Sequence, residues 1–235
     1  MTGVAACLMA VRERMEAACC RAGRASGAVE LIAVTKTYPT ECIREAFEAG
    51  QTLFGESRQQ EAAPKIIALP GSLRWHFIGR VQHNKVRKLL PSFEAIHAVD
   101  SLRLAVHTDE IAAELGLFPK LFLQVNLAGE ASKGGFDPDA LRSAMEAILV
   151  LPRLEVLGLM TIPPAGPDAQ AARPWFVKLR ELRDAIEREF SLSLPALSMG
   201  MSEDFEVAIE EGATHVRVGS AIFGMRASRV DGELG

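Results

Sequence analysis

Cysteine is scarce and all of it is early: Cys7, Cys19, Cys20 and Cys42, with no Cys-x-x-Cys pair and no later partner to staple against. That usage fits free thiols in a reducing cytosol and speaks against a disulfide framework or a zinc site. The five histidines (His76, His83, His97, His107 and His215) show no His-Glu-x-x-His or His-x-His spacing, so no metal centre is expected. Basic excess is lacking too. The net charge is −4, and no segment carries the electrostatic footprint of a nucleic-acid binder. Arg80, Lys85, Arg87 and Lys88 cluster at helical spacing and read as a solvated helix face, with phosphate binding as the alternative. No apolar run approaches the roughly 20 residues that span a bilayer, so no membrane partner is expected. Val4-Ala5-Ala6-Cys7 resembles a lipoprotein cleavage site only superficially, since no basic segment and no apolar region precede it; a cytoplasmic chain is the expectation.

What is present is a rhythm. After an amphipathic leading helix over residues 3–25 (Val4, Leu8, Val11 and Met15 on one face), short apolar runs alternate with helical patterns eight times. Strands are expected at 31–36, 52–55, 75–79, 93–99, 120–126, 154–161, 194–198 and 214–218. The helices between them fall at 40–49, 57–68, 82–90, 102–115, 138–150, 168–190 and 202–211, with a short one near Ser220. Eight strand–helix units without a linker predict one α/β domain, a (β/α)8 TIM barrel with an extra N-terminal helix: leading helix 1–27, barrel 28–226 and loose tail 227–235. A doubly wound open sheet is the alternative. It would want a Gly-x-Gly-x-x-Gly turn after the first strand, and Lys36 to Glu41 contains no glycine.

In a barrel, ligands bind at the C-terminal ends of the strands. Reading those ends gives Lys36, Gly55-Glu56-Ser57, His76 with Gly79, Asp100, Asn126, Thr161, Ser198 to Ser202 (with Met201), and Arg217 to Ser220. The apolar run Leu31 to Val34 delivers Lys36 to that rim, where an amine can lose its proton and attack a carbonyl; a solvated lysine is the plainer reading. Met199-Gly200-Met201-Ser202 and Val218-Gly219-Ser220 each bring glycine and a hydroxyl to a loop opening a helix, which suits a phosphate, although serine also serves simply as an N-cap. An aldehyde bearing a phosphate satisfies the lysine and both loops, and pyridoxal 5'-phosphate is the commonest such cofactor. Arg217 shares a strand face with Gly219, and a guanidinium set against the ring nitrogen would keep it unprotonated and weaken the ring as an electron sink. A salt bridge within a barrel layer is its alternative.

The motifs, taken in order, resemble the pyridoxal phosphate homeostasis protein family, standalone relatives of the alanine racemase barrel (fold type III). They are Ala33-Val34-Thr35-Lys36, Phe54-Gly55-Glu56, Trp75-His76-Phe77-Ile78-Gly79 with Gln82 and Asn84-Lys85, Gln124-Val125-Asn126, Ser132-Lys133, Gly158-Leu159-Met160, Leu197 to Ser202, and Val216 to Gly219 with Ala221 to Gly224. The resemblance implies a covalent aldimine at Lys36, Arg217 at the pyridine nitrogen, and Ser202, Gly219 and Ser220 on the phosphate. Ser57, His76, Ser198 and Met201 complete the expected cofactor-binding set. Three positions depart from the family: Ser57 replaces its usual asparagine near the ring, Arg58 its tyrosine, and Arg80 its frequent histidine.

Two functions follow from the same lysine. A carrier would hold the cofactor, limit its free aldehyde and pass it to apoenzymes without turnover, as a monomer; the resemblance implies this one, and no catalytic residue. An amino-acid racemase would need a second proton donor on the opposite face. The related racemases take a tyrosine from another domain, whereas Tyr38 is the only tyrosine here and lies two residues from Lys36. His76 or His83 could substitute. A cofactor-free class I aldolase would leave Arg217 unexplained. Lys133, on a glycine-rich loop, is a candidate for cofactor release, and Lys85 with Lys88 for a further cofactor molecule.

Overall fold

A computed structural model describes residues 3–130 and 133–224 of the chain. Ser132 and the tail expected after Arg226 lie outside the described residues.

Each of the eight apolar runs forms a strand: β1 (Glu30–Val34), β2 (Leu53–Glu56), β3 (Arg74–Phe77), β4 (Ala95–Val99), β5 (Lys120–Gln124), β6 (Glu155–Met160), β7 (Ala196–Met201) and β8 (His215–Val218). All pair in parallel and in sequence order, and β8 returns to β1 to close the barrel, with Glu30 opposite His215 and Ile32 opposite Arg217. The helices are α1 (Val4–Arg21), α2 (Thr40–Glu48), α3 (Gln59–Ala68), α4 (Val86–Leu89), α5 (Leu102–Leu115), α6 (Pro138–Leu149), α7 (Arg173–Phe190), α8 (Phe205–Glu210) and α9 (Ser220–Phe223).

Strand parity divides the core in two. One set of alternate residues, including Ala33, Phe54, Trp75, Ile96, Leu121, Leu159, Leu197 and Val216, packs with the helices in the main hydrophobic layer. The other parity turns into the barrel, where the apolar filling is small: Ala95, Ala98, Phe122, Met160 and Ala196. The remaining interior volume is taken by buried polar groups, among them His76, His97, Ser198 and Arg217. Closing the sheet demands close approach at one seam: a Cβ on Gly158 of β6 would lie 1.7 Å from the Ala196 carbonyl oxygen of β7, so only glycine fits there.

Helix α1 lies across the closure, packed on α8, α9 and α2. Its Arg14 and Arg21 pair with Glu206 and Glu210 of α8. Just beyond it, Arg24 donates to the carbonyls of Ile209 and Ala213.

Several expected boundaries shift for local reasons. The segment 82–90 is a 3-10 turn (His83–Lys85) followed by the single turn α4; Leu90 still continues it, and Pro91, with no N–H to donate, sets the stop. The long helix expected from 168 begins as a 3-10 turn (Ala169–Ala172) and becomes α-helical at Arg173, where Pro174 is tolerated in the first turn. The seventh strand starts after Pro195, which has no N–H to give, and runs on to Met201. Consequently α8 opens at Phe205, not at Ser202, and its N-terminal flank is Asp204.

Candidate functional site

β1 carries Val34 and then Lys36 toward the barrel axis, and the chain turns away at once. Thr37 takes φ 72°, a left-handed conformation that a β-branched residue adopts only under constraint. Two bonds hold it: the Tyr38 N–H donates to the Thr35 carbonyl (3.1 Å), and the Thr37 N–H donates to the Glu61 carboxylate (3.2 Å). Behind the same strand end Lys65 donates to the Thr35 carbonyl and to Glu56 Oε1, which also accepts from the Thr35 hydroxyl at 2.7 Å. Thr35, next to Lys36, is thereby fixed from two elements. Oε2 of Glu56 is buried with no partner among the described residues.

On the far side of the seam, β7 carries a bulge. Ser198 is opposite His215 but Met201 is opposite Arg217, so one strand spends three steps where the other spends two. Gly200 supplies the left-handed φ of 92° that the bulge needs, and a Cβ there would meet Ala208 at 2.6 Å. The extra residue aims Met201 and Ser202 at the mouth. Ser202 does not cap α8. Its Oγ reaches across to accept from the backbone N–H groups of Gly219 (3.1 Å) and Ala221 (3.4 Å), the amides that open α9. Met201 N–H is itself held by Asp204 Oδ1 at 2.6 Å.

Between these two edges lies a cavity of about 310 Å³, lined among others by Lys36, Met201, Ser202, Arg217, Gly219 and Ser220. One wall thus offers an amine, the next the hydroxyls of Ser202 and Ser220 beside the start of α9, and the floor a guanidinium. A larger cavity, about 490 Å³, opens at the opposite end of the barrel between α1 and the starts of β1 to β3, but brings no such set together.

Arg217 is almost fully buried. It donates to Ser198 Oγ (2.6 Å) and to the Thr161 carbonyl (3.0 Å), and the carboxylate that bears on it is that of Asp204. Burial draws its pKa down to about 10. Burial likewise raises the Asp204 carboxyl above the usual aspartate range, against the Met201 N–H and Arg217, which both lower it. The salt bridge weighed for Arg217 from its sequence position is replaced by neutral acceptors.

Six of the nine expected cofactor residues meet in this cavity; the other three do not line it. Ser198 lies below it, against Arg217. His76 is buried deeper, its Nδ1 2.9 Å from His97 Nε2, and burial lowers its pKa to about 4. Ser57 lines a separate cleft with Arg58, Arg80 and Lys85. Tyr38, expected to be poorly placed for the opposite face, is held on the β1–β8 side: its hydroxyl donates to the Gly224 carbonyl at 2.6 Å and its ring packs on Phe223. Lys133 donates to the Pro163 carbonyl and pairs with Glu130.

Sequence reasoning passed over His97, Asp204 and Lys65. His97 was legible only as one polar residue of interior parity in an apolar strand, and Lys65 as a cation on a helix. Among the described residues no group of three or more His, Cys, Asp or Glu could hold a metal ion, and no helix is long and apolar enough to cross a membrane.

The model of the alanine racemase N-terminal domain family matches residues 8–227. A pyridoxal phosphate homeostasis protein of Aquifex aeolicus is 47% identical over 220 residues, covering 93% of this chain and 96% of that one. The structure of PipY from Synechococcus elongatus with PLP bound superposes with a TM-score of 0.81 at 42% identity, over 91% of this chain and 100% of that one. The alanine racemase of Streptomyces coelicolor shares the fold (TM-score 0.67, 22% identity), and 93% of this chain covers 59% of that longer one.

Proposed function

Because the chain belongs to the pyridoxal phosphate homeostasis protein family, we propose that it binds pyridoxal 5'-phosphate at the barrel mouth, covalently through Lys36 as an aldimine, and takes part in buffering or delivering that cofactor in the cytoplasm. One observation carries this reading: a single cavity of about 310 Å³ holds Lys36 together with Arg217 and the Ser202–Gly219–Ser220 turn.

The residues fit the group. The cofactor supplies an electrophilic aldehyde beside a dianionic phosphate ester. The hydroxyls of Ser202 and Ser220, on the two loops that meet at the start of α9, suit the phosphate oxygens. Lys36, on the β1 edge, suits the aldehyde. Arg217 can only donate, so set against the ring nitrogen it would donate to a lone pair and leave that nitrogen without a proton of its own. A ring held that way is a poor electron sink, which favours holding the cofactor over turning substrate over.

Racemisation needs a second proton carrier on the opposite face. Tyr38 is tied to Gly224 on the Lys36 side, which supports a carrier without turnover; we propose further that it acts as a monomer and hands its cargo to apoenzymes.

Borohydride reduction after incubation with pyridoxal phosphate, followed by peptide mapping, tests the reading. A fixed adduct on Lys36, absent in Lys36→Ala, together with no racemisation of alanine by the same sample, is expected. An adduct elsewhere, or none, overturns it. Transfer to an apoenzyme faster than release into buffer would favour delivery over buffering.

A further inference from the structure

A line of four polar side chains runs from the floor of the cavity into the closed barrel. Arg217 donates to Ser198 Oγ at 2.6 Å; Ser198 Oγ lies 2.8 Å from His97 Nδ1; His97 Nε2 lies 2.9 Å from His76 Nδ1. All four are buried, and His97 is completely so. Its ring is also clamped in plane by Phe122, stacked at a centroid distance of 4.1 Å.

The chemistry of these groups gives the line a direction. Guanidinium has donors and no acceptor, so Ser198 Oγ must accept from it. The serine proton then points to His97, whose Nδ1 has to be bare. A neutral imidazole with bare Nδ1 carries its proton on Nε2, and that proton goes to His76, whose Nδ1 is bare in turn. Run backwards, both histidines carry Nδ1–H, Ser198 accepts twice, and its own hydroxyl hydrogen is left over in a site closed to water. Cations are disfavoured on either ring: both are buried, the two rings face each other, His215 lies 6.1 Å from each by ring centroids, and Arg217 adds its charge to His97. The other charged groups bearing on His76 are Glu94, Glu30 and Arg74.

We propose that His97 and His76, both as neutral Nε2–H tautomers, are positioning residues: through Ser198 they lock the Arg217 guanidinium in the plane and orientation in which it meets the cofactor's ring nitrogen. Neither ring lines the cavity. The inference rests on the functional reading above for the identity of the ring, but the direction of the chain does not depend on any ligand.

Two measurements test it. The first uses the ligand-free protein: nitrogen-15 NMR of the histidine rings at neutral pH, where Nδ1 of His97 and of His76 is expected to be unprotonated and Nε2 protonated. The second uses three variants loaded with pyridoxal phosphate. His97→Gln can accept from Ser198 and donate to His76, so it keeps the direction and the wild-type absorbance. His97→Phe fills the space but breaks the line, and Ser198→Ala breaks it with a smaller change in volume. Both are expected to shift the absorbance of the bound cofactor and to speed its release about tenfold, the equivalent of one charge-assisted hydrogen bond. A purely structural role for His97 would lower the melting temperature of His97→Phe without moving the spectrum of Ser198→Ala. Unchanged absorbance and release in both broken variants, or a protonated Nδ1 on His97, overturns the inference. A wild-type chain that takes up no cofactor overturns the functional reading instead, and the ligand-free NMR separates the two failures.

Discussion

The ammonium of Lys65 lies 2.6 Å from Oε1 of Glu56, both side chains shut away behind the strand end that carries Lys36. Such a pair is dangerous to break, because the partner left behind is a charge without water. Lys65→Met should therefore cost about 3–5 kcal/mol, more than any exposed ion pair in the molecule. Chemical denaturation with an unchanged m-value measures it. Because Lys65 also holds the Thr35 carbonyl, a milder Lys65→Arg variant should fold yet bind pyridoxal phosphate more weakly.

Ser202 joins the loop that ends β7 to the one that opens α9, through the amides of Gly219 and Ala221. Ser202→Ala removes that link from a partly exposed position, so folding should lose about 1 kcal/mol or less. Affinity for the phosphorylated cofactor should fall about tenfold, whereas affinity for dephosphorylated pyridoxal should scarcely change. Fluorescence or absorbance titration with both ligands checks this; equal losses for both would show that the serine acts on the fold and not on the phosphate.

Stability in acid should fall early. His76 titrates near 4 in the folded chain against 6.5 in a free imidazole, because burial penalises its cation, and His97 is shifted in the same direction. The unfolded chain thus takes up protons that the native chain refuses. Stability is full above pH 6.5 and falls as pH drops toward 4, by roughly 3 kcal/mol for His76. Glu30, held near 2 first by its hydrogen bond to His215 and then by Arg74, loses its contribution only below pH 4.5. Urea midpoints measured from pH 7 to 4 should slope downward in the wild type and less steeply in His76→Gln.

Gly200 combines a left-handed φ with no room for a Cβ, at 2.6 Å from Ala208 and 3.0 Å from the Phe205 Cα. Gly200→Ala should straighten the β7 bulge or push α8 outward, at a cost of about 2 kcal/mol or more. It should weaken cofactor binding as well, since the bulge is what aims Met201 and Ser202. A thermal melt beside a binding titration reads both; a variant with wild-type affinity would disconnect the bulge from the site.

The barrel was legible because its strands punctuate themselves. Pro39, Gly50, Pro70-Gly71, Gly116 and Gly212 mark where the chain turns, and apolar runs lie between them. The lysine and the two glycine–hydroxyl loops were legible for the same reason, as strand ends in a parallel fold. The bulge was not: Met199 to Met201 reads as a loop because glycine breaks the apolar run, and nothing local says that the strand continues through it. That error moved the start of α8 and gave Ser202 the wrong helix to cap. His97 escaped for a different reason. Within β4 it is a lone polar residue among alanines, isoleucine and valine, and its partners are 21 and 101 residues away, joined to it by barrel closure and not by spacing along the chain.

The seam between β1 and β8 places residue 36 beside residues 217–220. No partial barrel has both edges, so an emerging polypeptide has no such cavity until the eighth strand has been made and has docked. Capture of the proposed cofactor there would report that the barrel has closed. Every increment of binding free energy accrues to the closed form alone, so the loaded molecule should resist unfolding, and the proteolysis that follows it, in proportion to how much cofactor is at hand.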